Sequence, residues 1–241
     1  MNIKDNIKHA SHLHDLLREY NRGNILKEQN TEIEDKCIKY IDTYTDFYNT
    51  QYCISSFKNI TPLIYACICG NERIAAILID KGANINTQCG DGITALIDAA
   101  NHNMYNTVIK LIEHGADVNI TTFNNKTALI TACMSGYHNI AALLIQHGAD
   151  VHVTTQYGST ALGQALNENF DTAILLMEHG ADITDTNKWY KTMNPETNTH
   201  RAYRYMYTQY NKSISAVVNG DICFRQTYVP GLIEMICDFI L

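Results

Sequence analysis

The residues best equipped for chemistry come early in this chain. His9, His12 and His14 fall within one helix-length segment, and His9 and His12 are one turn apart, the spacing at which two imidazoles can share a metal ion. No cysteine pair or acidic ligand stands beside them in sequence, so they read as the polar face of a helix. Cys67-x-Cys69 has no second pair at zinc-ribbon spacing. His114, His147 and His179 recur, each just before a glycine, which suits a donor or cation at a helix C-terminus and not a catalytic set. No nucleophile elbow, phosphate-binding glycine loop or His-Glu zinc motif is found. The chemistry therefore points to no catalytic residue, no metal, no cofactor and no enzyme.

Composition narrows the classes further. Apolar residues make up 46% of the 241 and charged residues 18%, enough for a packed core. The net charge of −7, with no lysine/arginine block, argues against a general nucleic-acid binder, which needs a basic face. No apolar run approaches the roughly 18 residues of a membrane span. The N-terminal stretch is charged throughout, unlike a secretory signal. The eight cysteines follow no even spacing, so a reducing compartment, cytosol or nucleus, is expected.

The elements that position these residues come from a period. Thr61, Thr94, Thr127 and Thr160 are each 33 residues apart, and Gly82, Gly115, Gly148 and Gly180 follow at steps of 33, 33 and 32. The fourth unit has thus lost one residue between its threonine and its glycine. Each threonine precedes a small-residue apolar run and can cap a helix by accepting a free backbone N–H. Pro62 suits the first helical position. Ala66, Ala99, Ala132 and Ala165 stand five residues after each threonine, where two backbones must approach closely. Gly70, Asn103, Gly136 and Asn169 form one column of glycine and asparagine, and Asn59, Gly92, Asn125 and Gly158 another. The first reads as a helix C-cap and the second as a tight turn, both with positive φ. A second amphipathic run, such as Asn139–Gln146, then ends at the unit's glycine. Each unit is helix, turn, helix and loop, and neighbours must stack to share a core.

These residues resemble the ankyrin repeat, whose pattern opens "G-x-T-P-L-H-x-A" and closes "LL-x-x-GAD-x-N". The likeness spans about residues 56–185. Ile64, Ile97, Ile130 and Gly163 replace the family's histidine, so its hydrogen bonds between units should be missing. The resemblance implies an all-α solenoid: repeats at 56–88, 89–121, 122–154 and 155–185, the last closing its inter-helix turn differently. Residues 1–55, with apolar stripes at Leu13, Leu16 and Leu17 and at Ile33, Cys37, Ile38 and Ile41, form a helical N-terminal cap or degenerate repeat. Residues 186–241 form a helical C-terminal extension that carries Trp189 and many tyrosines among basic residues.

The resemblance further implies a protein–protein interaction scaffold that binds on its concave face. The contacts expected there are the variable positions of loop tips and first-helix ends: Phe57, Ile60, Asp91, Ile93, His102, Phe123, Lys126, Met134, Tyr157, Asn167 and Glu168. The final stretch, "YVPGLIEMICDFIL", puts Pro230, Leu232, Ile233, Ile236 and Phe239 on one stripe. It either seals the stack or resembles the opening of an F-box, "L-P-x-E-(I/L)-(I/L)-x-x-I", with Val229 for the leucine and Gly231-Leu232 where an acid stands. Such endings follow ankyrin arrays in poxvirus proteins and recruit a cullin ubiquitin-ligase adaptor. Abundant Ile, Asn, Lys and Tyr fit the AT-rich genome of a virus of eukaryotes or an intracellular microbe, and with a viral source come host-cell residence and a virus–host interaction.

Overall fold

A computed structural model describes residues 3–22, 27–45, 47–54 and 57–181, together with Thr208. It contains ten helices and one two-stranded sheet among those residues. Helix α1 (Ile3–Arg22) and α2 (Lys27–Thr43) form an antiparallel pair, followed by the hairpin β1 (Tyr52–Ile54) and β2 (Phe57–Ile60). Four shorter pairs follow: α3 (Pro62–Ile68) with α4 (Glu72–Asp80), α5 (Ala95–Asn101) with α6 (Tyr105–Glu113), α7 (Ala128–Met134) with α8 (His138–Gln146), and α9 (Ala161–Glu168) with α10 (Phe170–Glu178).

The helices lie in two layers. First helices pack side by side in the order α1, α3, α5, α7, α9, and second helices in the order α2, α4, α6, α8, α10. One continuous core runs between the layers. Ala66, Ala99, Ala132 and Ala165 are each 0% exposed, as their place between closely spaced helices requires. Ile64, Ile97 and Ile130 are buried too, so apolar packing fills the sites of the family's histidine. Cys67 and Cys133 are buried free thiols.

Helix starts follow the threonine column. Thr61, Thr94, Thr127 and Thr160 are all extended and accept, through Oγ1, the backbone N–H three residues on at 3.3, 3.3, 3.2 and 3.1 Å. The turn columns take positive φ as the glycine/asparagine alternation predicts, with one exception. Gly70, Asn103 and Gly136 lie at φ 66°, 55° and 70°. Asn169 instead has φ −148° and caps α10, its Oδ1 accepting from Thr172 N at 3.1 Å. The missing residue explains the change. Residues 69–71, 102–104 and 135–137 turn the first three pairs, whereas Asn169 alone separates α9 from α10.

The N-terminal histidines depart from a plain polar helix face. His9 stacks on Tyr44 with centroids 4.1 Å apart and bonds the Tyr40 hydroxyl, and His12 lies against Tyr40. His14 is buried against Tyr65, centroids 4.0 Å apart, where desolvation lowers its pKa. His9 and His14 are thus packing groups between α1, α2 and α3, while His12 stays exposed as the polar face of α1. The stretch 186–241, with Trp189, Pro230, Leu232, Ile233, Ile236 and Phe239, lies outside the described residues apart from Thr208, whose side chain is exposed.

Candidate functional site: a row of loop fingers

Between consecutive helix pairs the chain makes a short hairpin, or finger. Cys89 N and Ile93 O close one at 2.9 Å, Thr122 N and Lys126 O the next at 3.0 Å, and Thr155 N and Ser159 O the third at 2.9 Å. Each finger is pinned to its neighbour by a backbone bond. Gly90 N donates to Lys58 O at 2.6 Å, Phe123 N to Asp91 O at 3.2 Å, and Gln156 N to Asn124 O at 3.1 Å. Glycine is needed at this crowding: a Cβ on Gly92 would fall 2.9 Å from Phe123 N.

A second set of ties runs beneath the fingers. Asn86 donates through Nδ2 to Gly115 O at 3.0 Å and accepts from Asp117 N at 2.9 Å. Asn119 repeats both bonds one step on, with Gly148 O at 3.1 Å and Asp150 N at 2.8 Å. Asn49, after α2, likewise accepts from Asn84 N. The next place in the column is His152, which ends the series.

With the fingers fixed, some side chains are left outside. Phe123 is 73% exposed and Tyr157 78%, the two most exposed aromatic residues described. Asp91 is exposed, and Ile93 and Lys126 are half-buried at the finger bases. At the other end of the first helices His102, Asn167 and Glu168 are exposed and Met134 is 41% exposed. A seven-residue helix separates the two bands by roughly 10 Å at 1.5 Å per residue. One expected contact must be withdrawn. Ile60 is 0% exposed, because the end of β2, paired with Tyr52, lies in the core, and it cannot meet a partner. Phe57 opens β2; its side chain is not among those described.

The expected set omitted Lys58, Asn124 and Gln156, all exposed on the fingers. The period could have found all three, since Lys58, Asp91, Asn124 and Tyr157 form one column at steps of 33 and Phe57, Gly90, Phe123 and Gln156 the column beside it. Cys133 is pushed up to about 12 by burial and Cys67 well above its ordinary value, so neither presents a thiolate near neutral pH.

A family model described as ankyrin repeats (3 copies) matches residues 29–122 and 120–187, well over half of the chain. The chain belongs to the ankyrin-repeat family. Ankyrin repeats generally mediate protein–protein interaction, and proteins built of them are typically non-enzymatic scaffolds. The match begins inside α2, so it takes in part of the N-terminal helix pair. A search of the curated proteins gave no match. No helix among the described residues is long and apolar enough to cross a membrane.

Proposed function

We propose that this ankyrin stack is a non-enzymatic scaffold that grips a protein partner along its concave side, with the fingers and first-helix ends as the contact surface. The observation that carries this reading is the pair Phe123 and Tyr157. Each exposes about three-quarters of its surface, on adjacent fingers locked together by the Gln156–Asn124 backbone bond. Rigid, uncovered aromatics are the side chains that make interface hot spots, since little entropy is lost when they are buried. Asp91, Ile93, Lys126 and, across the first helices, His102, Met134, Asn167 and Glu168 form the surrounding rim.

In this reading residues 1–55 form a diverged first repeat, followed by units at 56–88, 89–121, 122–154 and 155–185. The stacking of α1 on α3 and of α2 on α4, and the Asn49 tie, support it. The test is affinity capture with the wild-type chain followed by mass spectrometry, repeated with Phe123→Ala/Tyr157→Ala. Loss of the captured partner, with thermal unfolding unchanged, supports the surface; retention of the partner places binding on another face.

A second reading makes the same surface the substrate-holding half of a cullin ubiquitin-ligase adaptor, in a viral or microbial protein acting inside a host cell. It rests on the F-box-like order of Pro230, Leu232, Ile233, Ile236 and Phe239. Truncation before Val229 separates the alternatives. Loss of cullin association from a folded protein supports recruitment, and aggregation supports a seal on the stack.

A further inference from the structure

Four residues recur at one place on the first helices, 33 residues apart: Tyr65, Asp98, Thr131 and Gln164. Tyr65 is buried and shares a hydrogen bond with the Cys69 thiol. Thr131 is buried and donates its hydroxyl to Thr127 O at 2.9 Å. Asp98 differs from both. It is 8% exposed, and its Oδ2 is buried with no hydrogen-bond partner among the described residues. It is also the one buried carboxylate among the described residues.

Helix α5 lies between α3 and α7 and is backed by α6. None of these brings a cation to the carboxyl. From α3 comes the Cys67 thiol, held protonated mainly by its own burial and next by Asp98. On α7 the buried polar groups are the hydroxyls of Thr127 and Thr131 and the protonated thiol of Cys133. On α6 the Lys110 ammonium is 2.7 Å from Asp80, and His114 beyond it turns Nδ1 to Lys110 O. On α5 itself His102 Nδ1–H donates to the backbone carbonyl of Asp98 at 2.9 Å.

We propose that Asp98 is carried as the neutral acid in the assembled stack, and that its ionisation loosens the joint between α3, α5 and α7, making the cohesion of the ankyrin array proton-dependent. A carboxylate buried with no cation beside it and one oxygen unpartnered is among the costliest groups to bury, and the relief open to it is either to hold its proton or to part the seam. Desolvation raises this carboxyl to about 7 from its ordinary 3.8. The folded stack therefore binds one more proton than the unfolded chain between those values. The stabilisation is full below 3.8, falls as pH rises toward 7, and is gone above it. Thr131 shows what a neutral residue does at the same place: it bonds its own helix and asks nothing of its neighbour.

The test uses the full chain. Carbon-13 NMR of carboxyl-labelled aspartate follows Asp98 directly, with Asp98→Asn assigning the signal. Amide hydrogen exchange, corrected for intrinsic rates, then reads the opening of α3, α5 and α7 from pH 5 to pH 8. The expected result is a carboxyl that titrates near neutrality. Opening should rise up to roughly tenfold per pH unit below the midpoint, a rise absent from Asp98→Asn. Should the asparagine variant fold poorly, Asp98→Thr copies the neighbouring unit and must give the same flat profile. A wild-type Asp98 that titrates in the ordinary carboxylate range would overturn the proposal. So would a pH dependence of the α5 amides that survives in both variants.

Discussion

In the pairs α5–α6 and α7–α8 the same backbone groups meet the same side-chain types at each step, while the bonds of α1–α2 are almost all particular to it. The regular pairs begin at a threonine cap and close on an alanine, and the loop after each bonds the asparagine of the loop before it. The N-terminal pair has longer helices and an aromatic filling of His9, Tyr40, Tyr44, Phe47 and Tyr48. Ion pairs join it to α4: Arg73 to Glu34 and Asp35, both at 3.3 Å, and Lys81 to Asp42 at 2.8 Å. These are mostly exposed and add little singly. One feature is common to both regions, the asparagine rung, which Asn49 supplies for the first pair. The N-terminal pair thus stacks on the array with a different filling while keeping a backbone tie of the same kind.

The largest effects should come from the core, and they should differ by region. Leu129→Ala removes a fully buried side chain from a central pair and should cost about 2–5 kcal/mol of the whole array's stability. Leu13→Ala removes one from α1, equally buried, but should release α1–α2 while α5 to α8 keep their protected amides. Native-state hydrogen exchange separates these outcomes, and a uniform loss of protection in Leu13→Ala would erase the distinction between the regions.

Next in size is the cap. Thr127→Val keeps the shape and loses the acceptor for Ile130 N, so about 1–2 kcal/mol should be lost in denaturant unfolding. The rung comes third. Asn119→Ala deletes two bonds to the following loop and should cost about 1–2 kcal/mol. His152→Asn should do the reverse for the last pair, gaining roughly 0.5–1.5 kcal/mol if its amide reaches Gly180.

The smallest effect is set by pH and is confined to the first seam. Burial lowers the pKa of His14 below 6.5, so the neutral ring's contribution is present above that value and is lost as pH falls through the folded-state value. Tryptic cleavage within α1 should therefore accelerate on acidification and not in a His14→Gln variant. This is the opposite sign to Asp98, so acid should open the first seam while closing the next.

The regular pairs were largely legible in the sequence because each of their bonds depends on a residue type at a fixed offset. Thr94, Ala99 and Gly92 carry that meaning wherever the period places them. Asn169 was not, since the same residue that ends one helix at positive φ can cap the next when the turn loses a residue, and the column alone does not choose. Ile60 was misread for a related reason: its neighbours in the column, Ile93 and Lys126, are half-buried, but the longer first hairpin turns Ile60 inward. Asn49 was hidden by its offset, since 37 residues separate it from Asn86 and the longer β1–β2 finger absorbs the difference.

The claim that the N-terminal pair belongs to the array meets its most direct check in three amides, Asn84, Asp117 and Asp150, each of which donates to the asparagine of the preceding loop. Hydrogen exchange followed by NMR should find all three slowed, and Asn49→Ala should free Asn84 alone. An Asn84 amide exchanging at its intrinsic rate in the wild-type chain, beside protected Asp117 and Asp150, would show that the first pair is not stacked on the rest.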